Sequence, residues 1–146
     1  MQIDLDSILA AVAPAPIIIR IDGANYPLRE LSLGEVVMLP GKPRLTFDKV
    51  LLFGAGPRAT FSEDTFKRLV HKMLGVMEAL SARVSVVELP GRPDELIPAD
   101  RAADILLAFA GGRPEHDVWT LVENAEGKQR VVQHMIEERR RVRRVF

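Results

Sequence analysis

Short apolar segments that end at glycine or proline most limit what this chain can fold into. Three of them, Ile17–Ile21, residues 35–39 and Lys49–Phe53, consist largely of β-branched and aliphatic side chains, so we predict strands there. The residues at 22–25 have the composition of a turn. The segments are apolar throughout rather than in alternation, which is typical of strands that are covered on both faces.

Helical patterns alternate with strand patterns after residue 49. Ser62 is a good N-cap, and the helix it opens carries apolar residues at helical spacing, namely Phe66, Leu69, Val70, Met73, Met77 and Leu80. A strand at 84–89, a helix at 100–110, a strand at 118–122 and a helix at 126–144 follow.

This alternation predicts an α/β fold with three layers, α/β/α, around a mixed, mainly parallel sheet. The strands at 17–21 and 35–39 are too close in sequence for a crossover helix, so we expect them to form an antiparallel pair. No linker or repeat divides the sequence, and residues 1–146 are therefore predicted to be a single domain.

Composition excludes several classes of protein. None of the 146 residues is a cysteine, which excludes a disulfide framework and a thiolate nucleophile. The first residues include Asp4 and Asp6 and lack the basic start of a signal peptide, and no apolar stretch reaches the roughly 18 residues of a membrane helix. We expect a cytoplasmic protein with no membrane partner.

Several segments together resemble a known family. Residues 34–40, 47–58 and 61–66 resemble successive parts of the N-terminal domain of leucyl aminopeptidases (peptidase family M17), and the later helices and the Trp119 strand keep that order. The resemblance implies a macro-domain-like fold. This sequence departs from the family at residues 23–33, because that segment is too short for the helix that the family usually has there.

The resemblance also bears on activity. In leucyl aminopeptidases the metal ions and the catalytic residues lie in a separate C-terminal domain, and this sequence ends at Phe146, where that domain would begin. We therefore expect a chain that is not an enzyme, without catalytic residues, a metal site or a cofactor. In the family this domain contributes to assembly, which implies a role in protein–protein interaction or oligomer formation.

A glycine turn is the candidate ligand site. Gly54, Ala55, Gly56 and Arg58 lie between a strand and the helix capped by Ser62. Glycines allow a close backbone approach, a helix N-terminus attracts anions, and an arginine adds a guanidinium, so a nucleotide or ADP-ribose phosphate is one interpretation. The other is a tight structural turn, which we favour because the third glycine of a dinucleotide motif is absent.

The last helix carries the strongest charge feature. Residues 128–146 contain seven Lys or Arg and two Glu, a net charge of +5, against −5 for the rest of a chain with 20 basic and 20 acidic residues. We predict that Arg139, Arg140 and Arg143 form an interface with a second copy or a related chain. Binding to nucleic acid is the alternative, disfavoured by the zero total charge and the lack of interleaved aromatic residues.

A histidine on the same helix raises the question of a metal. His134, Glu137 and Glu138 lie on one helical side, but a site needs three or four converging ligands and no second His–carboxylate pair is evident. We therefore predict a solvated polar face at this position.

Overall fold

The computed structural model describes residues 17–21, 23–28, 30–43, 45–112 and 118–145. Its strands are β1 (Ile17–Ile21), β2 (Ala24–Leu28), β3 (Val36–Pro40), β4 (Lys49–Phe53), β5 (Val84–Val87) and β6 (Val118–Leu121). Its helices are α1 (Glu63–Ala79), α2 (Ala99–Ala110) and α3 (Ala125–Val145), with a 3₁₀ turn at Arg58–Thr60. None of the helices in these ranges is both long and apolar enough to cross a bilayer.

The chain divides into two compact units. One contains residues 1–31 and 36–52, and the other contains residues 32–35 and 53–146. The described strands pair as β1 with β2, β3 with β4, and β5 with β6. The single domain that the sequence suggested stays a prediction.

The first unit shows a hairpin that the sequence analysis missed. β1 pairs antiparallel with β2, with Ile17 opposite Leu28 and Ile21 opposite Ala24, rather than with the strand at 36–40. Gly23 has a φ of +78°, a conformation that allows a tight reversal directly after β1. The nearer partner is favoured because closing a short loop costs less conformational entropy. Asn25 and Pro27 have low strand propensity, so the composition of β2 does not predict a strand.

The second unit holds the described core. Its cluster joins α1 and α2 to β5 and the segment after it, through Phe66, Val70, Met73, Leu74, Val87, Leu89, Ile97, Ala102, Ile105 and Leu106. The predicted apolar stripe of α1 is buried from Phe66 to Met77, whereas Leu80 follows the helix as its C-cap and is 37% exposed. β5 and β6 are parallel, with Val84 opposite Val118, as the alternation of strands and helices predicts.

Helix α3 lies alongside α2 in the parallel sense. Arg130 pairs with Asp100 at 3.1 Å, and one turn later His134 pairs with Asp104 at 2.8 Å. Both residue numbers increase together, so the two helices run in the same direction. This arrangement fixes which side of α3 faces the body of the unit and which side faces solvent.

Candidate functional site

The predicted ligand turn begins at Gly54, directly after β4. Gly54 is buried, its N–H donates to the carbonyl oxygen of Glu35 at 2.8 Å, and its own carbonyl accepts from the N–H of Gly34 at 2.8 Å. Both backbone polar groups of Gly54 are therefore committed to the neighbouring segment. A phosphate accepts hydrogen bonds, so it would have to displace the carbonyl oxygen of Glu35 from the N–H of Gly54.

Gly56 shows why the turn needs a glycine. Its φ is +71°, in the left-handed region that side chains rarely adopt. A Cβ atom added there would lie 3.2 Å from the Cβ of Leu33. The left-handed backbone and the contact with Leu33 thus explain why a glycine stands at position 56. No ligand is needed to account for it, in agreement with the interpretation as a tight structural turn.

Arg58 has a carboxylate neighbour in the described structure. It begins the 3₁₀ turn, and its Nη1 lies 3.6 Å from Oδ1 of Asp94, with both side chains more than half exposed. Exposed pairs of this kind contribute little to stability, and the guanidinium remains reachable from solvent. Ala55, which completes the predicted turn, is half-buried.

The N-terminus of α1, which follows the turn, is already capped, and its first acidic residue is ion-paired. The hydroxyl of Ser62 accepts from the N–H of Thr65 at 3.2 Å, as an N-cap does. Arg101 donates to Glu63 from Nε at 3.0 Å, and the hydrogen bonds from Arg101 and Lys67 lower the pKa of Glu63 to about 2. The cations beside Glu63 are already paired with it, and Ser62 occupies the N–H of Thr65, so an anion at this helix end would have to displace existing contacts.

Helix α3 presents two different sides. One side, formed by Gly127, Val131, His134, Met135 and Glu138, is buried or half-buried. On the other side Val132 is 50% exposed and Ile136 is 41% exposed, and these two apolar side chains lie one helical turn apart. The predicted interface residues Arg139 and Arg140 continue this exposed side, whereas the side chain of Arg143 lies outside the described part of the chain.

The described residues give no evidence for a metal site at His134. Its Nε2 lies 2.8 Å from Oδ1 of Asp104 on α2, so this histidine joins two helices instead of lying on a solvated face as predicted. The hydrogen bond to Asp104 raises the pKa of His134. Within residues 17–112 and 118–145, apart from the few positions left undescribed, no three potential ligands gather.

A buried ion pair, which the sequence analysis did not find, holds the start of α3. Arg92 is 7% exposed, and its guanidinium makes two hydrogen bonds to Glu123, from Nε to Oε1 and from Nη2 to Oε2. Its Nη1 also donates to the carbonyl oxygen of Ile97 at 2.6 Å. Asn124 then caps α3 by accepting from the N–H of Gly127 at 2.7 Å. The segment 89–97 also contains Asp94 and Glu95, so nothing in the sequence indicated that Arg92 is buried against Glu123.

Comparison with known proteins supports the fold and goes no further. No family model matches this chain, and no curated protein matches it. Among solved structures, a mutant macrodomain from Oceanobacillus iheyensis aligns with 17% identity over 75% of this chain and has a TM-score of 0.54. The chain covers 63% of that macrodomain, so it spans less than two thirds of its length. The alternating helices and strands and this likeness establish an α/β, macro-domain-like fold.

Proposed function

We propose that this protein is a non-catalytic interaction domain that self-associates through the exposed side of α3. The observation that carries the proposal is the pair Val132 and Ile136, which remain 50% and 41% exposed next to two exposed arginines. Large apolar side chains in a polar rim are typical of protein interfaces, and arginine is among the residues enriched there.

Charge favours a second copy of the chain as the partner. The last 19 residues carry a net charge of +5 and the rest carries −5, so each copy offers both halves of a complementary contact. The resemblance to the N-terminal domain of leucyl aminopeptidases, which contributes to assembly in that family, supports the same role.

Reversal of charge tests this function. We expect the wild-type chain to form oligomers in sedimentation velocity, and R139E/R140E to dissociate at least tenfold more readily, which corresponds to about 1.4 kcal/mol. The matched control is R68E/K72E, which makes the same change in charge at exposed positions on α1. A wild-type chain that is monomeric at about 100 µM would disprove the proposal. Binding of the wild-type chain to DNA with a steep dependence on salt would favour the nucleic-acid alternative.

The macro-domain-like fold supports a second candidate function, the binding of ADP-ribose or another nucleotide at the Gly54–Arg58 turn. Arg58 is exposed and supplies a guanidinium for a phosphate. The hydrogen bonds that already occupy the backbone of Gly54 and the cap that Ser62 makes at the start of α1 weigh against it.

Calorimetry distinguishes the two functions. If the turn binds ADP-ribose or ATP, titration gives heat that R58A reduces and R139E/R140E leaves unchanged. No heat at millimolar ligand would remove this second candidate.

A further inference from the structure

We infer that α3 of one copy docks on the exposed face of the β5–β6 sheet of a second copy. Such docking depends on the self-association proposed above and identifies the surface that receives α3. Two apolar surfaces that a single copy leaves exposed, and the charge beside each of them, point to this contact.

The parallel strands β5 and β6 form a sheet with one covered face and one exposed face. On the covered face Val87 belongs to the core cluster, and Trp119 and Leu121 pack against it. The alternate positions form what we call the outer face, where four valines are between 45% and 74% exposed: Val84, Val86, Val118 and Val122. Parallel strands are almost always covered on both faces, so we expect the outer face to be covered in the assembled protein.

Helix α3 cannot cover the outer face of its own copy. His134 pairs with Asp104 and holds α3 against α2, and α2 contributes to the core cluster on the covered face of the sheet. One copy therefore leaves two apolar surfaces exposed, the outer face and the side of α3 that carries Val132 and Ile136.

Glu88 gives the outer face a negative charge at one end. It is exposed between the buried Val87 and Leu89, so it continues the alternation that starts at Val84. Within the described part of the chain, Glu88 has no ion pair. A partner that covers the valines must therefore also meet this carboxylate.

The exposed side of α3 supplies the opposite charge. Lys128, Arg139 and Arg140 are exposed and lie within about 80° of Val132 around the helix. Each glutamate of α3 lies at least about 120° around the helix from Val132, so the apolar pair is bordered by cations. The outer face of a second copy thus has a complementary surface on α3.

The other two ways to pair these surfaces do not match charge. Two α3 helices in contact would bring Lys128 close to Arg140 if they were antiparallel, and would set each cation beside itself if they were parallel. Two outer faces in contact would set Glu88 against valines or against a second Glu88. Only α3 on the outer face covers both apolar surfaces and brings opposite charges together.

Spacing and charge together give the direction of α3 on the sheet. Residues four apart on a helix are about 6 Å apart along its axis, and alternate residues of a strand are about 7 Å apart. When α3 runs in the direction of β5, three pairs lie level with each other: Val132 with Val84, Ile136 with Val86, and Arg140 with Glu88. The adjacent Arg139 then also lies at the Glu88 end, whereas the reverse direction would carry both arginines toward Arg83.

A charge-swap experiment tests the contact and its direction. E88R should weaken the wild-type oligomer at least tenfold in sedimentation equilibrium, and the chain E88R/R140E should regain the lost affinity. E88R/K128E should not regain it, and rescue by K128E instead of R140E would overturn the direction. D64R, which reverses an exposed carboxylate in the first turn of α1, is the matched control and should leave the oligomer intact.

Cysteine crosslinking tests which surfaces meet, because the chain has no cysteine of its own. A size-tagged V84C chain mixed with an untagged V132C chain should form mostly mixed disulfides under mild oxidation. The control mixture of V84C with D64C should form few. Disulfides that join V84C to V84C, or V132C to V132C, in preference to the mixed pair would overturn the inference.

The failures of the two proposals are distinguishable. A wild-type chain that is monomeric at about 100 µM removes the self-association itself. A wild-type oligomer that R139E/R140E weakens and E88R leaves intact, or in which V84C and V132C form no mixed disulfide, removes only the docking of α3 on the outer face.

Discussion

Nε2 of His134 on α3 lies 2.8 Å from Oδ1 of Asp104 on α2, and this bond fixes the side of α3 that faces solvent. Asp100 and Arg130 repeat the pairing one turn earlier at 3.1 Å. The exposed side that carries Val132 and Ile136 is therefore a consequence of the polar contacts on the opposite side of the same helix.

The first prediction concerns pH. The hydrogen bond to Asp104 raises the pKa of His134, so its stabilising contribution is complete below the unfolded value of about 6.5 and is lost as pH rises through the higher folded pKa. We expect D104N to reduce the free energy of unfolding at pH 6 more than at pH 9, measured by urea titration at each pH. If D104N lowered the free energy of unfolding by the same amount at every pH, the His134–Asp104 pair would not be the source of the pH dependence.

The second prediction concerns the buried pair of Arg92 and Glu123. Removal of one partner leaves a buried charge without compensation, so R92M should lower the free energy of unfolding by about 3–5 kcal/mol. The double variant R92M/E123M should lose less than R92M alone, because no uncompensated charge remains. Urea unfolding of the three proteins measures this, and an R92M stability equal to wild type would show that the pair is not structurally important.

The third prediction compares two helical glycines. A Cβ at Gly127 would overlap Oε2 of Glu123 and lie 2.9 Å from Nη2 of Arg92, whereas a Cβ at Gly75 would have nothing within 4 Å. We expect G127A to destabilise the protein by about 1–3 kcal/mol through overpacking. G75A should stabilise it by about 0.5–1 kcal/mol, because alanine is the better helix former. Equal thermal stabilities for the two variants would be inconsistent with the packing at Gly127.

The fourth prediction concerns the candidate ligand turn. Gly56 has a φ of +71° and faces Leu33, so G56A should cost about 1–2 kcal/mol from backbone conformation, with an added contribution from the contact. The cost of G56A should be smaller in an L33A background, which removes that contact. A cost that is the same in both backgrounds would assign the whole effect to the backbone.

Local features that could be read from the sequence include the cap at Ser62, the apolar stripe of α1 and the ends of α2. These depend on residues within a few positions of one another, and hydrogen bonding and periodicity at that range leave a pattern in the sequence. The alternation of elements predicted an α/β fold and the resemblance of several segments implied a macro-domain-like one, and the likeness to a solved macrodomain supports both.

Tertiary structure alone decided the burial of Arg92 against Glu123 and the contact of His134 with Asp104. These contacts join residues 31 and 30 positions apart, and no local periodicity encodes a partner at that separation. The sequence thus determined that α3 is basic and amphipathic. Packing against α2 determined which of its sides stays exposed, because a helix can rotate about its axis until distant side chains fix it.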